Sequence, residues 1–141
     1  MTIRTKSSPC VGFCSTTYGD DICRGCFRQL DEVLNWRQKS SQDKQLYYQR
    51  LSRQVKSVME IYWSLGSPDE LAVKILQDYE IFAPPEGPPC AYFSLFQLLQ
   101  HGINPISSYA SYIKWNTHDM SLHELSRLVS RSVYVANENA L

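Results

Sequence analysis

No stretch of this chain reads as a membrane-spanning helix. The longest run without Asp, Glu, Lys or Arg, Gly87 to Ile113, contains prolines, Gln97, Gln100, His101, Gly102 and Asn104, so it holds no continuous apolar span of about 20 residues. The opening, MTIRTKSSPC, is polar and basic and lacks the apolar core of a secretion signal. Glycine is sparse, 6 residues in 141, and none of it forms a phosphate-cradling loop. There are only 3 histidines, and no Ser/His/Asp arrangement can be drawn from them. No strand of convincing length appears either. These absences point to a soluble, cytoplasmic binding protein rather than an enzyme or a membrane protein.

What the chain does have is enough apolar material for a core, 43% of residues, with 20% charged. Net charge is zero, but unevenly spread: residues 1–65 carry an excess of cations and residues 66–141 an excess of acids. Solvated helix faces are the simplest account of that polarity.

Helical periodicity dominates from residue 27 onward. In FRQLDEVLNWRQ, Leu30, Val33, Leu34 and Trp36 share a face. Ser40 is an N-cap for a longer helix in which Tyr47, Leu51, Val55, Val58, Tyr62 and Leu65 recur every three or four residues, with Gly66 as its stop. SPDE predicts the next start, with Ser67 as N-cap, Pro68 at the first helical position and Glu70 completing a capping box. That helix places Leu71, Ile75, Leu76, Tyr79 and Phe82 on one face. APPEGPPC excludes regular structure. YFSLFQLLQHG is a short apolar helix; NPISSYASYIKWN starts another, capped by Asn104; Ser121 and Glu124 open the last. The expected fold is mostly α: a small N-terminal four-cysteine metal knuckle followed by a compact bundle of about five or six helices. Residues 1–65 would form the cysteine module with two following helices, and residues 66–141 a helical C-terminal region.

Chemistry concentrates in the head. Four of the 5 cysteines fall at Cys10, Cys14, Cys23 and Cys26, as C-x3-C and C-x2-C pairs around the turn TTYGDD. Two close pairs of soft thiolates suit a tetrahedral metal or an iron–sulfur cluster. Gly12 and Gly25 lie between the members of each pair, where the backbone must turn tightly. The positive end of the helix after Cys26 would stabilise thiolate charge. Disulfides are the competing use of the same residues, and the missing export signal argues against them.

The stretch SPCVGFC, the short turn and CRGCFRQLDEVLNW resemble a small bacterial family, domain of unknown function 1289. The residues that carry the resemblance are Ser8, Pro9, Cys10, Gly12, Cys14, Cys23, Gly25, Cys26, Glu32 and Trp36, over about residues 7 to 55. Phe27 departs from the pattern at the helix start. The resemblance implies a predicted iron–sulfur protein, a description that rests on the cysteines themselves. It assigns no activity.

Two functions follow. In the first, the four thiolates hold a structural zinc and the module binds a partner, protein or nucleic acid, through a basic surface of Arg24, Arg28, Arg37, Lys39, Arg50, Arg53 and Lys56. In the second, they hold an iron–sulfur cluster for electron transfer or for redox or iron sensing. A self-contained site with four ligands and no open position leans toward zinc. A cluster needs cover from solvent, and locally only Val11, Phe13, Ile22 and Phe27 offer it. His118 and His123, five apart, do not share a helix face and read as surface residues. Cys90, isolated after two prolines, reads as a buried or idle thiol.

Overall fold

The computed structural model describes residues 5–6, 8–11, 14–117 and 120–139. Among these, six α-helices carry most of the chain: α1 (Leu30–Leu34), α2 (Ser41–Tyr62), α3 (Pro68–Asp78), α4 (Ala91–Gln100), α5 (Pro105–Tyr109) and α6 (Leu122–Glu138). Four very short strands accompany them. β1 (Thr5–Lys6) pairs in parallel with β3 (Ile81–Phe82), and β2 (Trp63–Leu65) pairs antiparallel with β4 (Ile113–Trp115). No helix among the described residues is long and apolar enough to cross a membrane.

The long helix α2 organises the molecule. Ser40 caps it as expected, its Oγ accepting the Asp43 N–H at 3.1 Å. Its buried stripe, Tyr47, Tyr48, Leu51, Val55 and Met59, packs against α4 and α6, while α3 packs on α4. Helix α4 is covered almost all round, from Ala91 to Leu99 except Tyr92, which is why its sequence is apolar on every face. Helix α6 buries only Leu125, Val129, Val133 and Asn137. An aromatic cluster of Trp36, Tyr47, Tyr48, Phe82 and Phe93 fills the space beside the head, with ring centroids 5.1–6.0 Å apart.

Several expectations are corrected. Helix α1 spans only five residues, and its apolar side chains face outward, Leu30 at 38% and Leu34 at 70% exposure. The buried member of that set is Trp36, which sits in a following 3-10 turn. Helix α2 stops at Tyr62 rather than Gly66, because Trp63–Leu65 leave it to pair with β4. The helix expected over NPISSYASYIKWN lasts only to Tyr109 for the same reason. Likewise Phe82 belongs to a strand and not to α3. Ser67 does not cap α3: its φ is +46° and its hydroxyl makes no cap bond. Asn104 and Ser121 do cap, accepting N–H groups at 2.9 and 3.1 Å.

Candidate metal centre

The second cysteine pair lies in a tight turn closed by backbone hydrogen bonds. Ile22 and Gln29 bridge antiparallel, the Cys23 N–H donates to the Arg28 carbonyl at 2.9 Å, and the Phe27 N–H donates to the Cys23 carbonyl at 2.8 Å. Closing it puts Phe27 at φ +62°, a conformation that L-residues adopt at a cost. The ring compensates: it is 2% exposed and lies against Phe96 with centroids 6.1 Å apart. Helix α1 begins only at Leu30, so its N-terminus does not enclose the cysteines, contrary to the expectation above. Backbone N–H groups of the turn do that work instead.

Cys23 and Cys26 are both buried and meet through their sulfurs. The hydrogen bond from the Cys26 side chain, assisted by the N–H groups of Cys26, Gly25 and Ser15 and opposed by burial, pulls the Cys23 thiol down to about 4. The Gly25 N–H stands 3.4 Å from its Sγ. The proton is thereby held on Cys26, whose thiol is pushed up by its bond to Cys23 and by burial. Arg28 Nε donates to the Cys26 Sγ at 3.2 Å. Burial disfavours that guanidinium, but the Cys26 sulfur, with smaller contributions from Tyr47 and Cys10, keeps it firmly charged. Backbone N–H donors aimed at the Cys23 sulfur and a buried cation aimed at its neighbour Cys26 are the kind of support that thiolate ligands of a soft metal require.

The first pair is arranged differently. Cys14 precedes a 3-10 turn, Ser15–Tyr18, that Gly19 ends at φ +100°. Its Sγ lies 2.8 Å from Thr16 Oγ1. Ser15 Oγ accepts the Arg24 N–H at 2.8 Å, which ties this segment to the second pair. Cys10 is half-buried, with its N–H 3.3 Å from Ser8 Oγ. Gly12 and Phe13 lie outside the described residues. Among the described residues, no three His, Cys, Asp or Glu side chains gather as a ligand set. The structure brings Cys23 together with Cys26 and leaves Cys10 and Cys14 flanking them.

Three residues that the sequence did not single out as neighbours of the cysteines hold the turn from outside. Tyr47 donates to the Cys26 carbonyl at 2.5 Å, and Gln100 Nε2 donates to the Gly25 carbonyl at 2.6 Å. Phe96 supplies the stacking surface. All three arrive from distant helices, so no local pattern could reveal them. Arg28, expected on the basic surface, is instead buried at 4% exposure and stacks over Trp36 at 5.0 Å. Of the other cations named for a basic surface, Arg50 clasps Glu32 at 2.7 and 3.2 Å and Lys39 pairs with Asp31 at 2.8 Å. Arg37, Arg53 and Lys56 are exposed. Cys90 sits at the N-cap of α4, half-buried, its N–H on Tyr48 Oη at 2.9 Å. His123 is exposed on α6, and His118 lies outside the described residues.

Comparison with known proteins adds a family but no activity. The family described as "Protein of unknown function (DUF1289)" matches residues 8–55. The "Uncharacterized protein YdhL" of Escherichia coli is 43% identical over 54 residues, covering 36% of this chain and 67% of the relative. The protein of the same name from Shigella flexneri matches over the same extent, with 43% identity over 54 residues. No solved structure matches.

Proposed function

The chain belongs to the DUF1289 family of proteins of unknown function, and from that premise we propose that it is a metal-binding adaptor. In this reading Cys10, Cys14, Cys23 and Cys26 supply four thiolates to one zinc, the metal pins the head, and the protein acts by binding a partner. The observation that carries it is the Cys23–Cys26 turn: two buried sulfurs, backbone N–H groups aimed at one and Arg28 at the other. Thiolate ligands need that kind of support to stay deprotonated and oriented. The hydrogen bonds from Tyr47 and Gln100 fix the turn independently of any metal.

A second reading keeps the same ligands but gives them an iron–sulfur cluster with an electron-transfer or sensing role. One observation favours it. Cys23 is 1% and Cys26 5% exposed, and Tyr47 of α2 with Phe96 and Gln100 of α4 lie against the turn that carries them; clusters depend on such shielding.

Absorption spectroscopy with metal analysis on protein purified without oxygen separates the two. A colourless protein with about one zinc per chain supports the adaptor reading. A brown protein absorbing between about 320 and 460 nm, with iron and matching sulfide, selects the cluster. Cys10→Ser and Cys23→Ser are each expected to lose the metal while far-UV circular dichroism retains most of the helix signal. Full metal content and unchanged stability in either variant would remove that cysteine from the site.

A further inference from the structure

Helix α6 leaves one of its faces uncovered, and that face looks across a groove at the cysteine head. The groove, about 1060 Å³, runs between α6, the α4–α5 corner and the Cys23–Cys26 turn. Ile103, Leu122 and Leu128 give it an apolar side, and Phe27 and Leu99 reach it from the core. Its rim is cationic. Arg127 and Arg131 stand one above the other on α6, four residues or about 6 Å apart, and Arg24 approaches from the head.

The charge is concentrated here against the background. Residues 66–141 carry only Lys74, Lys114, Arg127 and Arg131 as cations, among a majority of acids, and both arginines line this groove. Lys74 lies over the Tyr112 ring, 5.4 Å from its centroid. Among the described residues neither Arg127 nor Arg131 has an ion-pair partner, whereas Arg24 pairs with Asp20 at 3.3 Å and rests over the Tyr134 ring at 4.4 Å. Glu124 is the one acid in the lining.

We propose that this groove docks a short amphipathic segment of a partner protein, with apolar side chains against Leu122, Leu128 and Ile103 and carboxylates against Arg127 and Arg131. A polypeptide fits better than a nucleic acid. A polyanion needs cations along its whole track, and here the cations form a single patch on an otherwise acidic half, whose field would repel a longer chain of phosphates. An apolar side with a charged rim is what an amphipathic helix in a groove requires. Of the lining residues only Arg24 and Phe27 fall inside residues 8–55, the part matched by the family. Partner choice is therefore written mostly in the chain beyond that segment. This inference rests on the partner-binding half of the adaptor reading and names the surface and the chemistry it uses.

Fluorescence anisotropy on the full chain tests it, with a labelled helical peptide bearing glutamates on one face and leucines on the adjacent one. Controls are the same peptide with glutamine for glutamate, and a single-stranded oligonucleotide. The acidic peptide is expected to bind, more weakly as salt rises, and at least about tenfold tighter than the glutamine peptide. R127E with R131E should abolish that preference. Both residues are exposed and outside the core, so circular dichroism and metal content should match the parent. No binding, equal binding of the two peptides, binding indifferent to the charge reversal, or preference for the oligonucleotide each overturns the proposal. Metal content is read on the same samples. Peptide binding without metal would refute the metal site and leave the groove standing, and metal without peptide binding would do the reverse.

Discussion

Phe27 sets two local energies against each other. Its backbone is left-handed at φ +62°, which favours glycine, while its ring is buried against Phe96. Removing the ring should cost about 3–5 kcal/mol, as for other buried aromatics. Alanine keeps the backbone strain and glycine relieves it. We therefore expect stability to fall in the order Phe27, F27G, F27A in urea unfolding, an order opposite to the usual preference for alanine over glycine. F27A at or above F27G would show that the turn relaxes out of the left-handed region. The adjoining thiols give a pH signature in reduced, metal-free protein. Cys23 is depressed from the ordinary thiol value of 9.0 to about 4, so from pH 4 to 9 the unfolded chain holds a proton that the folded chain has released. Stability from this group is complete above pH 9 and is lost as pH falls toward 4. Cys26 is shifted the other way, so its contribution declines above pH 9. The urea midpoint should climb between those limits, and C23S should flatten the climb. An equal slope in C23S would assign the dependence to other groups.

At the scale of elements, what could be read in the sequence follows from length. Helix α2 was legible because Tyr47, Leu51 and Val55 recur at helical spacing and are buried as expected, and Ser40 announces its start; Tyr48 and Met59, which the sequence pattern did not select, complete the buried stripe. Helix α6 was legible for the same reasons, with Ser121 as the announcement. Strands β2 and β4 have three residues each, too few to show a period of two, and each exists only because the other lies beside it. Ser67 shows the limit of a local motif. Ser-Pro-Asp-Glu is a capping-box pattern, yet the chain leaves Gly66, whose N–H donates to the Tyr112 carbonyl at 2.8 Å, in a path that forces Ser67 to φ +46°. The tertiary bond overrides the cap. S67G should therefore stabilise the protein, by up to about 1 kcal/mol, since it removes left-handed strain and sacrifices no cap bond. S121A, which does lose a cap bond at 3.1 Å, should destabilise by about 1 kcal/mol. Thermal unfolding of the two variants distinguishes the cases by sign. The candidate site divides in the same way: cysteine spacing was plain, while the groups that support the turn come from α2 and α4.

Across the whole molecule, the head and the bundle are joined at the turn itself. The Gly25 carbonyl accepts from Gln100, the Cys26 carbonyl from Tyr47, and Phe27 lies against Phe96. Three consecutive residues of the head thus depend on α2 and α4. Helix α6, although it makes none of these contacts to the cysteines, packs on both α2 and α4. A loss of packing in α6 should for this reason be felt at the turn. Leu125 is fully buried, and L125A should cost about 2–5 kcal/mol, lowering Tm by roughly 10 °C. Native-state hydrogen exchange locates the consequence. The Cys23 and Phe27 amides, both donors within the turn, should share the opening free energy of the α2 and α4 amides and fall with them in L125A. The comparison is made within one protein, so it holds whether or not a metal is bound. If the two turn amides kept their protection while the helices lost theirs, the head would be an independent folding unit. Its hydrogen bonds to Gln100 and Tyr47 would then position the cysteines without stabilising them.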